Sequence, residues 1–229
     1  MEPQPNIRTG KSSKVFVPVV RAASWRPQEE KVALFEHVAD HGAFRFTERE
    51  RGKLELLRTR LGPLAGLRIL EPGCGTGPLT EWLYKWSDPG GVIEAFDPNR
   101  QMLAKAAEYL RGLPRCRLSC GRCEDIEWAE HSFDLIVCFR VFPHFDDVDE
   151  VLNRFRRWLA TGGRLLVVHW EGRDALDALH AHHEPVEGDI FPPRKYLEAA
   201  LSRKGFSIST WIDDSEEIFI DAQLSPAPL

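Results

Sequence analysis

Glu71, Gly73, Gly75 and Gly77 stand at two-residue intervals along Leu70-Glu71-Pro72-Gly73-Cys74-Gly75-Thr76-Gly77-Pro78, directly after the apolar run 67–70. Glycines so placed let the main chain turn sharply, take positive φ and approach a ligand closely. The chemistry such a turn serves is the holding of a nucleoside cofactor. Glu71 would repel a diphosphate and attract a cationic amino-acid head group. Asp97 closes the next apolar run, 92–96, and lies 26 residues beyond Glu71. A carboxylate at that place can accept two ribose hydroxyls at once. Asp97-Pro98-Asn99 also suits the start of a helix, so the plain alternative for Asp97 is a capping residue; ribose binding is the favoured reading, since one loop can do both.

A dinucleotide turn carries its third glycine three residues after the second; here that place is Pro78, and glycine comes one residue early at 77. Pro78 fits the first turn of a helix, where its missing N–H costs nothing. The pattern acid-x-Gly-x-Gly-x-Gly resembles motif I of the class I S-adenosylmethionine-dependent methyltransferases. The resemblance implies that Gly73, Cys74, Gly75 and Gly77 line the cofactor, that Glu71 acts on its methionine end through the turn, and that Asp97 and Pro98 meet the ribose. Gly121-Arg122-Cys123-Glu124-Asp125-Ile126 falls where the family carries Gly-Asp-Ala-Glu-Asp-Leu. In the family that first aspartate takes the adenine amino group and the next main-chain N–H meets a ring nitrogen. With Arg122 in its place, the resemblance leaves the main chain of Cys123 for the ring and passes the amino group to Glu124 or Asp125. The likeness continues through Phe133-Asp134 and is nearly unbroken from 73 to 170.

On the acceptor side the candidates are His144, His169 and Arg140. His144 follows the fourth apolar run, His169 ends the fifth, and His180, His182 and His183 fall on the next helical segment. In an open parallel sheet, ligands bind beyond the carboxyl ends of the strands, so these histidines should face the cofactor crevice. The plain alternative is a set of hydrogen-bonded loop histidines. The chemical roles open to them are acceptor binding, proton removal and metal binding. For an acceptor that carries a proton, His144 is the first choice of base and His169 the second, while Arg140 would orient an anionic substrate. Cys116, Cys120 and Cys123 have the Cys-x3-Cys-x2-Cys spacing of radical S-adenosylmethionine enzymes. They straddle a strand and its following turn, however, and read as free thiols, with no disulfide framework.

The elements that must position these residues alternate. Helical patterns at 79–86, 148–159 and 193–204 separate apolar strands at 92–96, 115–120, 132–138 and 164–170, with Gly162-Gly163 expected to stop the second of those helices. Runs at 206–212 and 217–222, joined by Asp213-Asp214-Ser215, form a closing hairpin. The expected fold is α/β: a Rossmann-like, right-handed, doubly wound seven-stranded sheet of the class I methyltransferase type, its last strand pair antiparallel. Residues 1–24 read as a flexible arm, and 25–229 as a single domain opened by a helical cap at about 25–61, with helices at 28–39 and 48–61. In the resembled family such helices cover the cofactor and shape the acceptor pocket.

At 229 residues, 43% apolar and 28% charged, the chain can bury a full α/β core. Its net charge of −5 argues against a nucleic-acid partner, and Arg154, Arg156 and Arg157 read as a solvated helix face. Val15 to Val20 is broken by Pro18 and too short to span a membrane. The expected activity is methyl transfer from S-adenosylmethionine to a small-molecule nucleophile, in the cytoplasm. Its rivals are a cofactor-binding sensor or histidine-based metal-binding protein that transfers nothing, and an NAD(P)-dependent oxidoreductase.

Overall fold

The computed structural model describes residues 46–181, 186 and 189–226. The expected arm at 1–24, the expected helix at 28–39, and His182 and His183 lie outside the described residues. Seven strands, β1 (Arg68–Pro72), β2 (Val92–Asp97), β3 (Cys116–Cys120), β4 (Phe133–Phe139), β5 (Leu159–His169), β6 (Phe206–Asp213) and β7 (Ile218–Leu224), form one sheet in the order β3-β2-β1-β4-β5-β7-β6. The first five are parallel; β7 runs against both β5 and β6 and is the only reversed strand.

Alternate residues of the parallel strands feed two cores. Leu70, Ile136, Cys138, Leu165 and Val167 face α4 (Val148–Trp158) and α6 (Arg194–Arg203), while Ile69, Leu135, Val137, Leu166 and Val168 face α1 (Arg51–Leu61), α2 (Pro78–Trp86) and α3 (Arg100–Tyr109). The period-two alternation of apolar side chains on both faces is what a parallel sheet covered by helices on each side requires. Local chemistry sets the helix starts. Pro78 opens α2, Asn99 caps α3 by accepting from the N–H groups of Gln101 and Met102, and Asp147 caps α4 by accepting from Glu150 N–H.

The expected stop of α4 at Gly162-Gly163 is corrected. The helix ends at Trp158, and β5 runs through both glycines. Pairing jumps from Phe133 opposite Leu159 to Leu135 opposite Arg164, so the extra residues of β5 bulge outward. Gly162 takes φ 78°, and a Cβ on Gly163 would come within 2.8 Å of Ala160 O. Those glycines serve a bend within the strand.

The segment before β1 is tied across the sheet. Lys53 Nζ donates to Trp170 O at 2.6 Å, Arg60 grips Glu217 through two 2.7 Å bonds, and Arg164 donates to Leu61 O at the end of α1 while pairing with Asp221. These bonds hold α1 beside the carboxyl end of β5, where α5 (Arg173–Ala181) also begins. Among the described residues, no helix is long and apolar enough to cross a membrane.

Candidate active site

Strand order reverses between β1 and β4, and the carboxyl ends of β1 to β5 converge there. The turn after β1 is locked to β2: Cys74 N–H donates to Phe96 O at 3.0 Å and Gly75 N–H to Asp97 Oδ2 at 2.9 Å. Asp97 Oδ1 accepts from Asn99 N–H at 2.8 Å. Each carboxylate oxygen thus holds one main-chain donor and keeps one lone pair for a ligand. The capping reading of Asp97 is corrected, because Asn99 caps the helix. Pro98, half-buried, lies between the two.

Gly73, Gly75 and Gly77 all have positive φ, at 66°, 54° and 90°. A Cβ on Gly73 would lie 2.3 Å from Val141 Cγ2, and one on Gly77 would lie 2.9 Å from Leu110 Cδ1. At these two positions, glycine is required by the protein's own packing as much as by any ligand. Cys74 turns its thiol into the core, leaving its main chain to the crevice. Glu71 is buried beneath the turn and accepts a 2.6 Å bond from Thr80 Oγ1. Burial pushes its carboxyl up to about 8, against the Thr80 bond and with the help of the nearby Asp97 charge. Burial likewise raises Asp97 to about 6, against the two main-chain N–H bonds that favour its charged form.

Beyond β3, Arg122 pairs with Asp146 and lies 3.4 Å from Glu124 Oε2. The Cys123 thiol is buried in the core and pushed far up by burial. Glu124 Oε1 and Asp125 Oδ2 are buried with no hydrogen-bond partner among the described residues. Cys116 and Cys120 stand at opposite ends of β3, about 13 Å apart at strand rise, too far to share a cluster. All five cysteines are free.

The ends of β4 and β5 make the second half of the crevice. Arg140 has φ 54° and continues the β4 to β5 pairing through its N–H to Val168 O at 2.9 Å. Its guanidinium lies 5.2 Å from the Phe139 ring centre and 5.1 Å from that of Trp170, rings that Phe46 also touches. Its Nη2 donates to Glu50 Oε1 at 2.7 Å and to Glu171 Oε1 at 2.8 Å. Two carboxylates thus offset the charge of Arg140, the residue expected to orient an anionic substrate. His144, His169 and His180 converge. His144, in a short 3-10 turn after β4, places Nδ1 2.5 Å from Asp189 Oδ2, and its ring lies 5.2 Å from that of His180. His169 is 1% exposed, packs edge-on against Phe191, and among the described residues has neither ring nitrogen bonded. Burial, with His144, Arg140 and His180 nearby, holds its pKa well below the ordinary imidazole value, so it is neutral. Among the described residues, no group of three or more histidine, cysteine or acidic side chains is arranged to hold a metal ion.

The family described as a methyltransferase domain matches residues 70–167. The chain is 34% identical over 130 residues to malonyl-[acyl-carrier protein] O-methyltransferase of Bacillus cereus, covering 56% of this chain and 46% of that one. It is 31% identical over 126 residues to methyltransferase GfsG of Streptomyces halstedii, covering 54% and 45%. The chain thus spans about half the length of the curated relatives it matches. A crystal structure of an S-adenosylmethionine-dependent methyltransferase from Aquifex aeolicus superposes with a TM-score of 0.65 at 16% identity, covering 84% of this chain and 98% of that one. Residues 70–167 thus match a methyltransferase domain, on the fold of S-adenosylmethionine-dependent methyltransferases.

S-adenosylmethionine is the cofactor that the matched domain and the structural neighbours indicate. Two buried carboxyl groups, Glu71 and Asp97, stand at the glycine turn, and among the described residues Glu124 Oε1 and Asp125 Oδ2 have no hydrogen-bond partner beyond β3. Sequence reasoning missed Glu50, Glu171, Val141 and Asp189. Only Glu50 carried a signal, the Thr47-x-x-Glu50 capping pattern at a helix start. Asp189 lies 45 residues from its partner His144, in a stretch without period or motif.

Proposed function

We propose that this chain catalyses methyl transfer to a small-molecule nucleophile by in-line displacement, in the cytoplasm. When bound, S-adenosylmethionine supplies a methyl group on a cationic sulfur and leaves as the neutral thioether. The chain's own residues hold and align. Gly73, Gly75 and Gly77, with the main chain of Cys74, shape the bed for the methionine end over Glu71; Asp97 and the adjoining Pro98 take the ribose; the Cys123 main chain, with Glu124 or Asp125, takes the base. Catalysis then consists mainly of bringing the acceptor into line at close range. His144 is the base for an acceptor that carries a proton, and His169, neutral and unbonded, is a polar wall.

The observation that carries this reading is the Asp97 carboxylate, which ties the Gly75 and Asn99 N–H groups into one cradle at the strand-order reversal. Calorimetry with S-adenosylhomocysteine tests it: wild type should bind, and Asp97→Ala should bind about 100-fold more weakly, a loss of roughly 2.7 kcal/mol. Equal affinity in both proteins would remove Asp97 from the site. Transfer of labelled methyl groups into a metabolite extract then reads the activity itself. The relative that acts on a malonyl group tethered to acyl-carrier protein makes a carrier-bound acceptor the alternative to a free metabolite. Running the extract with and without its macromolecules separates the two.

A further inference from the structure

The segment that leads into the sheet is fastened unequally along its length. From Lys53 onward the bonds are several: Lys53 Nζ donates to Trp170 O at 2.6 Å and to Glu216 O at 3.2 Å, Arg60 holds Glu217 through a two-bond fork, and Arg164 donates to Leu61 O. Ahead of Lys53, Phe46 and Glu50 make the ring and charge contacts to the strand ends, Phe46 with Phe139 and Trp170, Glu50 with Arg140. Arg140 gives one nitrogen, Nη2, to both Glu50 and Glu171, while its Nε is buried with no hydrogen-bond partner among the described residues. A nitrogen shared by two acids is a looser fastening than the Arg60 fork, where each oxygen has its own donor. The other oxygen of Glu50 accepts from Thr47 N–H at 2.8 Å and Thr47 Oγ1 at 2.9 Å, so the carboxylate that meets Arg140 also sets the turn from Thr47.

Arg140 stands where such a tie has consequences. It follows β4 at φ 54°, a costly backbone for any residue with a Cβ. Val141, the next residue, lies against Gly73 of the glycine turn, which puts Arg140 at the border between the two halves of the crevice. We propose that 46–50 is a strap over the acceptor side of the crevice, hinged at the firmly held start of α1, and that Arg140 is the positioning residue that latches it. The inference rests on the methyl-transfer reading above. Latched, the strap covers the ends of β4 and β5, keeps water from the reacting groups and holds the acceptor in line; released, it admits the acceptor and lets the product leave. Arg140 acts through Glu50 and not on the acceptor. Its two carboxylate partners are part exposed, so the tie biases the strap and still lets go.

Hydrogen–deuterium exchange of the full chain, saturated with S-adenosylhomocysteine, reads the strap through the main-chain amides of 47–50. Arg140→Met keeps an apolar side chain against the Phe139 and Trp170 rings. It should speed exchange at 47–50 about fivefold and leave 54–61 unchanged, which also reports that the variant is folded. Unchanged exchange at 47–50 overturns the latch. In the second arm, label from methyl-labelled S-adenosylmethionine is followed into a metabolite extract supplied at rising concentration. Arg140→Met should raise the half-saturating extract concentration about fivefold, with maximal rate and S-adenosylhomocysteine affinity within about twofold of wild type. A half-saturating concentration equal to that of wild type, or a loss of cofactor affinity in its place, overturns the strap's position over the acceptor. Glu50→Gln leaves one acceptor oxygen where two sets of donors meet it, so it should match Arg140→Met, and the double variant should go no further than either. Additive effects, or a larger effect of Arg140→Met, mark direct contact with the acceptor and overturn the positioning role. Absence of label from wild type overturns methyl transfer itself and leaves the exchange result standing separately.

Discussion

The two halves of the crevice are built differently. At the ends of β1 and β2 the polar groups are main-chain atoms and one buried aspartate, held by bonds between Gly75, Asp97 and Asn99 and drawn from 71–99. At the ends of β4 and β5 they are side chains from Glu50, Arg140, His144, Glu171, His180 and Asp189, segments far apart in the chain. The first half is a shape that few sequences can make. The second is a set of pairs that can be exchanged without disturbing the strands beneath. On the proposed reading, the former holds the cofactor and the latter meets the acceptor.

If the difference is real, substitutions in the first half should be costly to fold and cofactor together, and those in the second costly to neither. Gly73→Ala should give the largest effect. It adds a Cβ 2.3 Å from Val141 in a left-handed backbone, for a loss of about 2–5 kcal/mol in denaturant titration and of cofactor binding by calorimetry. Adding Val141→Ala should recover the steric part and leave the backbone part. If the double variant were no more stable than the single, the contact with Val141 would not be what demands glycine.

The buried carboxylates come next. Glu71 is raised to about 8 and Asp97 to about 6, so the folded state holds protons that the unfolded chain, at ordinary carboxylate values, has already lost. Stability from these groups is therefore fully present at low pH and is lost as pH rises through about 4 to 8. Glu71→Gln should flatten that slope, with a difference from wild type of up to roughly 4 kcal/mol at pH 8. A cationic ligand favours the ionised carboxylates, so cofactor binding should release protons near pH 7. Calorimetry in buffers of different ionisation enthalpy measures this, and a binding heat independent of buffer would contradict it.

Arg140→Met should do least. Its carboxylate partners are part exposed and screened, so stability should change by no more than about 1 kcal/mol in thermal denaturation, with cofactor affinity within about twofold of wild type. A loss as large as that of Gly73→Ala would erase the distinction between the halves.

Strong local patterns were legible. The glycine turn, the acid closing β2, the Pro78 helix start and the strand alternation each rest on neighbours in the chain, and each stands where expected. The failures occurred where one local signal serves two geometries. Gly162-Gly163 reads as a helix stop, yet it bends β5, because the partner strand β4 sets where pairing resumes. Asp97-Pro98-Asn99 offers Asp97 as a cap, yet Asn99 takes that place while Asp97 accepts from Gly75 and Asn99 N–H.

By itself, the sequence determined the order of strands and helices and the cofactor turn, since propensity, period and backbone permissiveness act over a few residues. Only the tertiary structure decided what Arg140 and His144 face. Charge and hydrogen-bond pairing here depends on partners 31 to 90 residues away, brought within bonding distance by the fold.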